Sequence, residues 1–472
     1  MEKFFKLKEN KTDVRTEVMA GLTTFMTMAY IIALNPNILA DEPGTPLWYG
    51  IFLATCIASA IGTFTMALLA NKPFVMAPGM GLNSFFAVVV SNIVTITGFS
   101  YLKAFQSALV IVFVEAVVFI ALSLLRVREK IVEAIPLGIR LGIAPAIGLM
   151  LMNIGLGTNA AVYEEDGTAH LVLRDFFGAL TASYAKENLG ELFSPMVLTV
   201  VTMFIGLFVI LALEHKKVKG SVLGGMLVAS VLYWAGEALW LGKDPFVKLK
   251  TTSFLPPFAD MADTTLFHLN FKGFMEIGWF TIVTLIVTFC IIDMFDTIGV
   301  LVGTASRANM LDKDGKMPKM KQALLSDAIG TLSASLTGSS TVTTFAESAA
   351  GVEAGGRTGL TALVAGVLFL LCIFLSPIAA IIPAPATSSA LIYVGILMLS
   401  NLKKIDFDDL SQIFPVAIML IAMPITGSIG HGIGLALILF SGIKLCTGKA
   451  KEVSALTYVL SLIFVVKFFL AL

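Results

Sequence analysis

Long apolar runs separated by short polar stretches dominate the chain. They fall at 18–39, 49–70, 74–95, 102–125, 136–157, 194–213, 220–241, 277–304, 322–338, 339–354, 358–378, 384–400, 412–428 and 430–446. Most are close to the ~20 residues that a helix needs to cross a hydrocarbon core of about 30 Å. The apolar residues are continuous and do not alternate with period two, so the runs predict helices, not the strands of a closed barrel. The pattern predicts an all-α integral membrane protein of about fourteen transmembrane helices. A further run at 454–470 contains Lys467 and reads either as a fifteenth span or as an interfacial helix.

The stretches between the runs set an orientation. With the N-terminus taken as cytoplasmic, the exits of the even-numbered spans carry Lys72, then Arg126, Arg128 and Lys130, then Lys216, Lys217 and Lys219. They continue with Arg307 to Lys321, Arg357, Lys403 and Lys404, and finally Lys449 and Lys451, so every basic cluster lands inside. The opposite side receives Asp41, Glu42 and the long segments 158–193 and 242–275. Residues 1–17 are charged for too long to form the start of a cleavable signal and read as a cytoplasmic lead-in.

Composition agrees with a lipid environment. Hydrophobic residues make up 57% of the chain and charged residues only 14%, against roughly 25% charged in a soluble protein. The net charge is zero, which leaves no global field to attract nucleic acid. Cys56, Cys290, Cys372 and Cys446 show no metal-like spacing. No phosphate-binding Gly-Lys-Ser/Thr loop and no nucleophile elbow occurs, so neither an enzyme nor a cofactor is expected, and transport energy must come from a gradient.

A weak internal repeat is visible. Ala134-Ile135-Pro136, followed by Gly148-Leu149-Met150-Leu151, resembles Ile381-Ile382-Pro383, followed by Gly395-Ile396-Leu397-Met398, at an offset of 247 residues. Span five would run outward and span twelve inward, so the match predicts seven spans repeated upside down.

Three segments break the apolar rule. Met76-Ala77-Pro78-Gly79-Met80-Gly81-Leu82-Asn83-Ser84-Phe85-Phe86 and Gly338 through Gly351 occupy the third position of each putative half, and both are rich in Gly and hydroxyl residues. Such paired interruptions point to half-helices meeting in mid-membrane at a transporter's binding site, although small residues alone would equally serve close helix packing. Glu347, within the second segment, favours a functional site, because a carboxylate in mid-bilayer is costly unless paired, hydrated or protonated. In span eight, Asp293 and Asp296 share a helical face, and two carboxylates so close cannot both be comfortably ionised, which makes one of them a natural proton carrier. Glu115 reads as a hydrogen-bonding residue of the bundle, and His431 as an interfacial one.

Ala77-Pro78-Gly79-Met80-Gly81-Leu82-Asn83, Asp293-Met294-Phe295-Asp296-Thr297-Ile298-Gly299 and Thr343-Thr344-Phe345-Ala346-Glu347-Ser348-Ala349-Ala350-Gly351 resemble motifs of the adenine/guanine/hypoxanthine permease (AzgA-like) branch of the nucleobase:cation symporters, relatives of the uracil and xanthine permeases. The resemblance runs from Lys11 to about Lys451. It implies two inverted sets of seven spans, with half-helices in spans three and ten. The core domain would comprise 18–125 and 277–378, and the gate domain 126–241 and 379–446. These are flanked by the N-terminal segment 1–17, the extracytoplasmic loop 242–276 and the C-terminal segment 447–472.

The resemblance further implies a purine base held between the half-helices of spans three and ten, beside span eight. Asp296 and Glu347 match the carboxylates of spans eight and ten, and Asn83 would meet a base edge. Uracil permeases have a His four residues after the span-eight carboxylate; here that position is Val300, and Asp293 is the substitute proton carrier. Chemically, carboxylates accept from purine N–H groups, Asn83 both donates and accepts, and Phe345 offers a ring to stack. Backbone N–H groups near Ala346, Glu347 and Ser348 would add donors at a helix start. The expected partners are a purine nucleobase, protons and the lipid bilayer, and the resemblance implies a homodimer formed through the gate. The expected activity is proton-coupled uptake across the inner membrane. A sodium-coupled carrier, or an anion exchanger or channel on the same architecture, is the alternative.

Overall fold

The computed structural model describes residues 2–40, 44–125, 136–164, 168–179, 181–247, 249, 253–307, 310 and 317–470. Arg126, Arg128, Lys130, Ala134, Ile135, Asp41, Glu42 and the segment 311–316, which enter the orientation and repeat readings, lie outside the described residues.

The first half contains α1 (Val14–Met28), α2 (Ile31–Leu39), α3 (Pro46–Thr65), α4 (Met80–Thr97), α5 (Tyr101–Leu124), α6 (Leu137–Leu156), α7 (Phe193–His215) and α8 (Ser221–Leu239). The second contains α9 (Trp279–Arg307), α10 (Met320–Thr337), α11 (Ser348–Glu353), α12 (Gly359–Leu371), α13 (Ala384–Met398), α14 (Leu410–Thr426), α15 (Ile429–Cys446) and α16 (Ala455–Leu470). Local chemistry sets several boundaries. The Asp13 side chain accepts from Thr16 N–H, so α1 begins four residues ahead of the apolar run. Thr45 caps α3 ahead of Pro46 in its first turn. Gly338, at φ +106°, stops α10 where a side chain would be strained.

Among the described residues, ten helical stretches are long and apolar enough to cross a membrane, and Ala384–Met398, Leu410–Thr426 and Ala455–Val466 are shorter apolar helices. Many helices are apolar on both faces. On α7, Met196, Met203 and Ile210 are buried, while Val201, Ile205 and Phe208 point outward and are 37–63% exposed. An all-round apolar surface of this kind needs lipid as its solvent.

One expectation needs correction. The sequence predicts an all-α chain, with interrupted half-helices but no strands in the third span of each half. Instead, β1 (Met76–Pro78) pairs antiparallel with β4 (Val342–Thr344) in the buried interior, and only the six-residue α11 follows β4. The β-branched residues of Val342-Thr343-Thr344 favour an extended chain, and extended backbone away from water must find partners on another strand. A second small ladder, β2 (Val162–Tyr163) with β3 (Ala169–His170), lies in the segment between α6 and α7.

Helices α3 and α5 each pack on α10 and α12 covers α1 and α3, whereas α6 packs on α13 and α14, with α7 and α8 beside α13. Two crossings are tight. A Cβ added to Gly62 or Gly330 would lie 3.3 Å from the other glycine's Cα, which brings α3 against α10. A Cβ on Gly148 or Gly395 would lie 2.5 Å from the other's carbonyl oxygen, which seats α6 on α13. At the second crossing a side chain would force the helices apart, and at the first it would need its neighbours to give by a few tenths of an ångström.

Candidate functional site

The buried ladder organises the centre of the molecule. Beyond the paired residues, Gly79 N–H donates to Thr341 O at 3.0 Å and Phe345 N–H to Val75 O at 3.0 Å. Hydroxyls close the outer edges: Thr63 of α3 bonds both the N–H and the carbonyl of Met76, and Thr331 of α10 donates to Val342 O. This irregular backbone is thereby hydrogen-bonded within the bundle. Helix α4 starts one residue after β1, and α11 follows β4 after the Phe345-Ala346-Glu347 turn, so the ladder places the start of both.

Two carboxylates and one backbone turn line the accessible side of this assembly. Asp296 of α9 is half-buried, and its Oδ2 accepts from Thr343 Oγ1 at 3.4 Å. Glu347, also half-buried, accepts from the Tyr30 hydroxyl at 2.7 Å and lies within electrostatic reach of Asp296. Ala346, between β4 and α11, is exposed. Gly79 packs against the same residues: a Cβ there would lie 2.8 Å from Thr343 Oγ1 and 3.4 Å from Asp296 Oδ2.

The remaining expected site residues sit behind this layer. Ser348 is buried, and its hydroxyl bonds the Val75 N–H at 3.0 Å, holding the strand edge. Asn83 is buried; its amide donates to Pro78 O at 3.3 Å and accepts from Ser340 Oγ. Phe345 is 5% exposed and packs in the main apolar core. Asp293 is fully buried and faces Thr297, whose hydroxyl lies 3.1 Å from Asp293 Oδ1 and 2.7 Å from Asp327 Oδ1. A hydroxyl carries one proton, so the second contact is satisfied when one of the two carboxyls is protonated. Glu115 accepts from Thr341 at 2.8 Å, a hydrogen bond within the bundle.

Sequence reasoning missed Asp327 and Tyr30. Asp327 is the lone acid of the 322–338 run, lies among Ser and Thr residues, and reaches Asp296 electrostatically. Its signal was the cost of an unpaired acid in such a run. Tyr30 falls in an apolar stretch and is 1% exposed, so its sequence reads as packing.

With this geometry in hand, known proteins supply the context. The sequence model of the Permease family (Xan_ur_permease) matches residues 15–435. Adenine permease AdeP of Escherichia coli (strain K12) is 35% identical over 467 residues, 99% of this chain and 95% of AdeP. Guanine/hypoxanthine permease PbuO of Bacillus subtilis (strain 168) is 35% identical over 469 residues, 99% of this chain and the whole of PbuO. The transmembrane domain of a cyanobacterium bicarbonate transporter, BicA, superposes with a TM-score of 0.61 at 13% identity, covering 89% of this chain and 97% of that domain. That likeness extends to the fold alone. The chain is therefore a multi-span helical membrane protein of the Permease family of nucleobase carriers, a transporter by family, with adenine and guanine/hypoxanthine permeases among its relatives.

Proposed function

We propose that the protein takes up purine nucleobases together with protons by alternating access. The observation that carries this reading is the pairing of two half-buried carboxylates, Asp296 and Glu347, at the end of a buried strand pair that also presents the exposed Ala346 turn. Carboxylates accept from purine N–H groups, and the apolar surroundings with Phe345 close by suit a flat ring. Asn83 and Ser348 shape the site by holding the two strand–helix junctions at the base edge. A proton on Asp293, Asp296 or Glu347 neutralises the loaded site for its passage through the barrier, and the Thr297 bridge between Asp293 and Asp327 supports a proton resident there.

In this proposal fourteen spans form two inverted sets of seven, and the two strand–helix segments are the half-helices of spans three and ten. Three meetings of counterpart elements support it: β1 with β4, α3 with α10 at Gly62 and Gly330, and α6 with α13 at Gly148 and Gly395. Ile61-Gly62-Thr63 also recurs as Ile329-Gly330-Thr331, with each threonine bracing its own half's strand. Spans one to four and eight to eleven then move as the core against spans five to seven and twelve to fourteen as the gate, in the inner membrane with the N-terminus inside. The acidic, base-free character of the site argues against anion exchange on this fold.

The test is uptake of radiolabelled adenine, hypoxanthine, guanine, xanthine and uracil in cells lacking their own base permeases, with a protonophore and with sodium replaced. Purine uptake that collapses with the protonophore and ignores sodium is expected. Sodium-dependent uptake, or no accumulation of any base by protein verified at the membrane, overturns the reading.

A further inference from the structure

The C-terminal helix α16 lies against α15, and the contacts run in opposite directions along the two helices. His431, in the first turn of α15, meets Phe468, with ring centroids 5.6 Å apart. A Cβ on Gly434 would lie 2.5 Å from the Phe464 ring, so glycine there lets α16 sit close on the α15 backbone. Farther along, Ser461 Oγ donates to Leu437 O at 2.9 Å and lies 2.8 Å from Ser441 Oγ. Lys444 Nζ then pairs with Glu452 at 2.8 Å, in the turn that joins the helices. As the position on α15 rises from 431 to 444, its contact falls from 468 to 452, so the helices are antiparallel over about 20 Å.

Burial on α16 is the reverse of what a surface helix shows. Thr457 and Ser461 face the bundle at 0% and 6% exposure, whereas Val459, Leu462 and Phe469 point outward at 53%, 63% and 76%. A helix lying on a membrane turns its polar face to water, and this one turns an apolar face outward. Helix α15 is long and apolar enough to cross the membrane, so a helix laid antiparallel along it crosses as well. At 16 residues α16 is no shorter than α13, span twelve of the proposed repeat, with 15. Lys467 falls in its final turn, at the level of the interface, where a charge is tolerated. Helix α16 also packs on α9, which carries Asp293 and Asp296.

We propose that α16 is a fifteenth membrane span, outside the two sets of seven, that rides with the gate and faces the moving span eight. The crossing stands on the contacts above, and the role in the gate rests on the core and gate movement proposed for base uptake. Cys446 at the end of α15 and the end of α16 then lie on opposite faces of the membrane.

The first test labels single cysteines with a membrane-impermeant maleimide, in intact and then in permeabilised cells. One full-length variant keeps Cys446, which is exposed, and has Ala at Cys56, Cys290 and Cys372; the other adds Cys446→Ser and a cysteine appended after Leu472. Labelling of the two from opposite faces is expected, and labelling from the same face overturns the span. The second test combines Ser441→Cys with Ser461→Cys. Oxygens 2.8 Å apart place these positions within reach of a disulfide, and the bond should form on oxidation and be found by mass spectrometry. Uptake should stay within about twofold of oxidant-treated wild type, because a link between parts that move together does not hinder a rigid-body cycle. No disulfide overturns the packing of α16 on α15, and uptake that stops on oxidation and returns with reductant overturns its place in the gate. Wild type that accumulates no base overturns the gate role with the function it rests on, a failure that appears without any mutation and leaves the labelling result standing.

Discussion

Glu17 near the start of α1 and Glu347 just ahead of α11 both place a carboxylate beside the first turn of a helix, deep in the packed bundle. Glu17 is fully buried and accepts from Arg357 N–H at 2.9 Å, Thr358 N–H at 3.3 Å, Thr361 N–H at 3.2 Å and Thr361 Oγ1 at 2.6 Å. With Asn71 Oδ1 accepting from Gly359 N–H and Thr358 Oγ1 from Leu360 N–H, the start of α12 is closed by side chains. That arrangement is a helix cap made by a carboxyl group, and it ties span one to α12. Glu347 is half-buried, takes a hydrogen bond from Tyr30, and borders the accessible Ala346 turn. Burial of an acid therefore does not by itself mark a site; an acid whose oxygens are claimed by several backbone N–H groups is structural, and a half-buried one held by a single side-chain hydroxyl keeps acceptor capacity for a ligand.

The largest expected effect breaks the second half of this comparison. Glu347→Gln and Asp296→Asn each should lower concentrative purine uptake by about 100-fold or more, since a neutral amide removes both the acceptor and the titrating group. Their thermal stability in detergent should stay near wild type, because neither carboxylate closes a helix end. Wild-type uptake in either variant removes that residue from the site. Glu17→Gln should do the reverse: its amide protons would face the N–H groups of α12, at a stability cost of about 2–3 kcal/mol. Thermal unfolding and surface expression check this, and uptake per folded molecule should change little.

Smaller effects sharpen the contrast. Tyr30→Phe removes the donor that orients Glu347 and should raise KM for the base by about two- to tenfold, the range of a single hydrogen bond. Uptake kinetics at several base concentrations measure it. Asp409 caps α14 through Ser411 N–H, and its carboxyl is held below the usual carboxylate range, chiefly by the Ser411 hydroxyl. Asp409→Ala should cost about 1 kcal/mol of stability, as helix caps do, and leave base uptake unchanged. Because the folded-state pKa is depressed, this contribution is present above the ordinary carboxylate range and is lost as pH falls through the lowered value.

The membrane class and Glu347 were legible for one reason: continuous apolar runs predict lipid-facing helices, and a carboxylate inside one is costly. The β1–β4 ladder was less legible, because 74–95 and 339–354 are apolar enough to read as helices, and only tertiary pairing decides that Val342-Thr343-Thr344 is extended. Ile61-Gly62-Thr63 and Ile329-Gly330-Thr331 lie 268 residues apart, whereas the pair found from sequence lies 247 apart, so a search at one offset finds one pair and loses the other. Tyr30 escaped because its role depends on Glu347, far along the chain, which no local pattern announces, whereas Asp327 carried the signal of a lone acid in its run and only its partner Thr297 was hidden.

Direct binding of hypoxanthine and adenine to the purified protein, by titration calorimetry on wild type, Glu347→Gln and Glu17→Gln, tests the central claim. Wild type and Glu17→Gln should bind a base with similar affinity, and Glu347→Gln should show no measurable binding while remaining folded. Unchanged affinity in Glu347→Gln would contradict the account, and place the base somewhere other than beside this carboxylate.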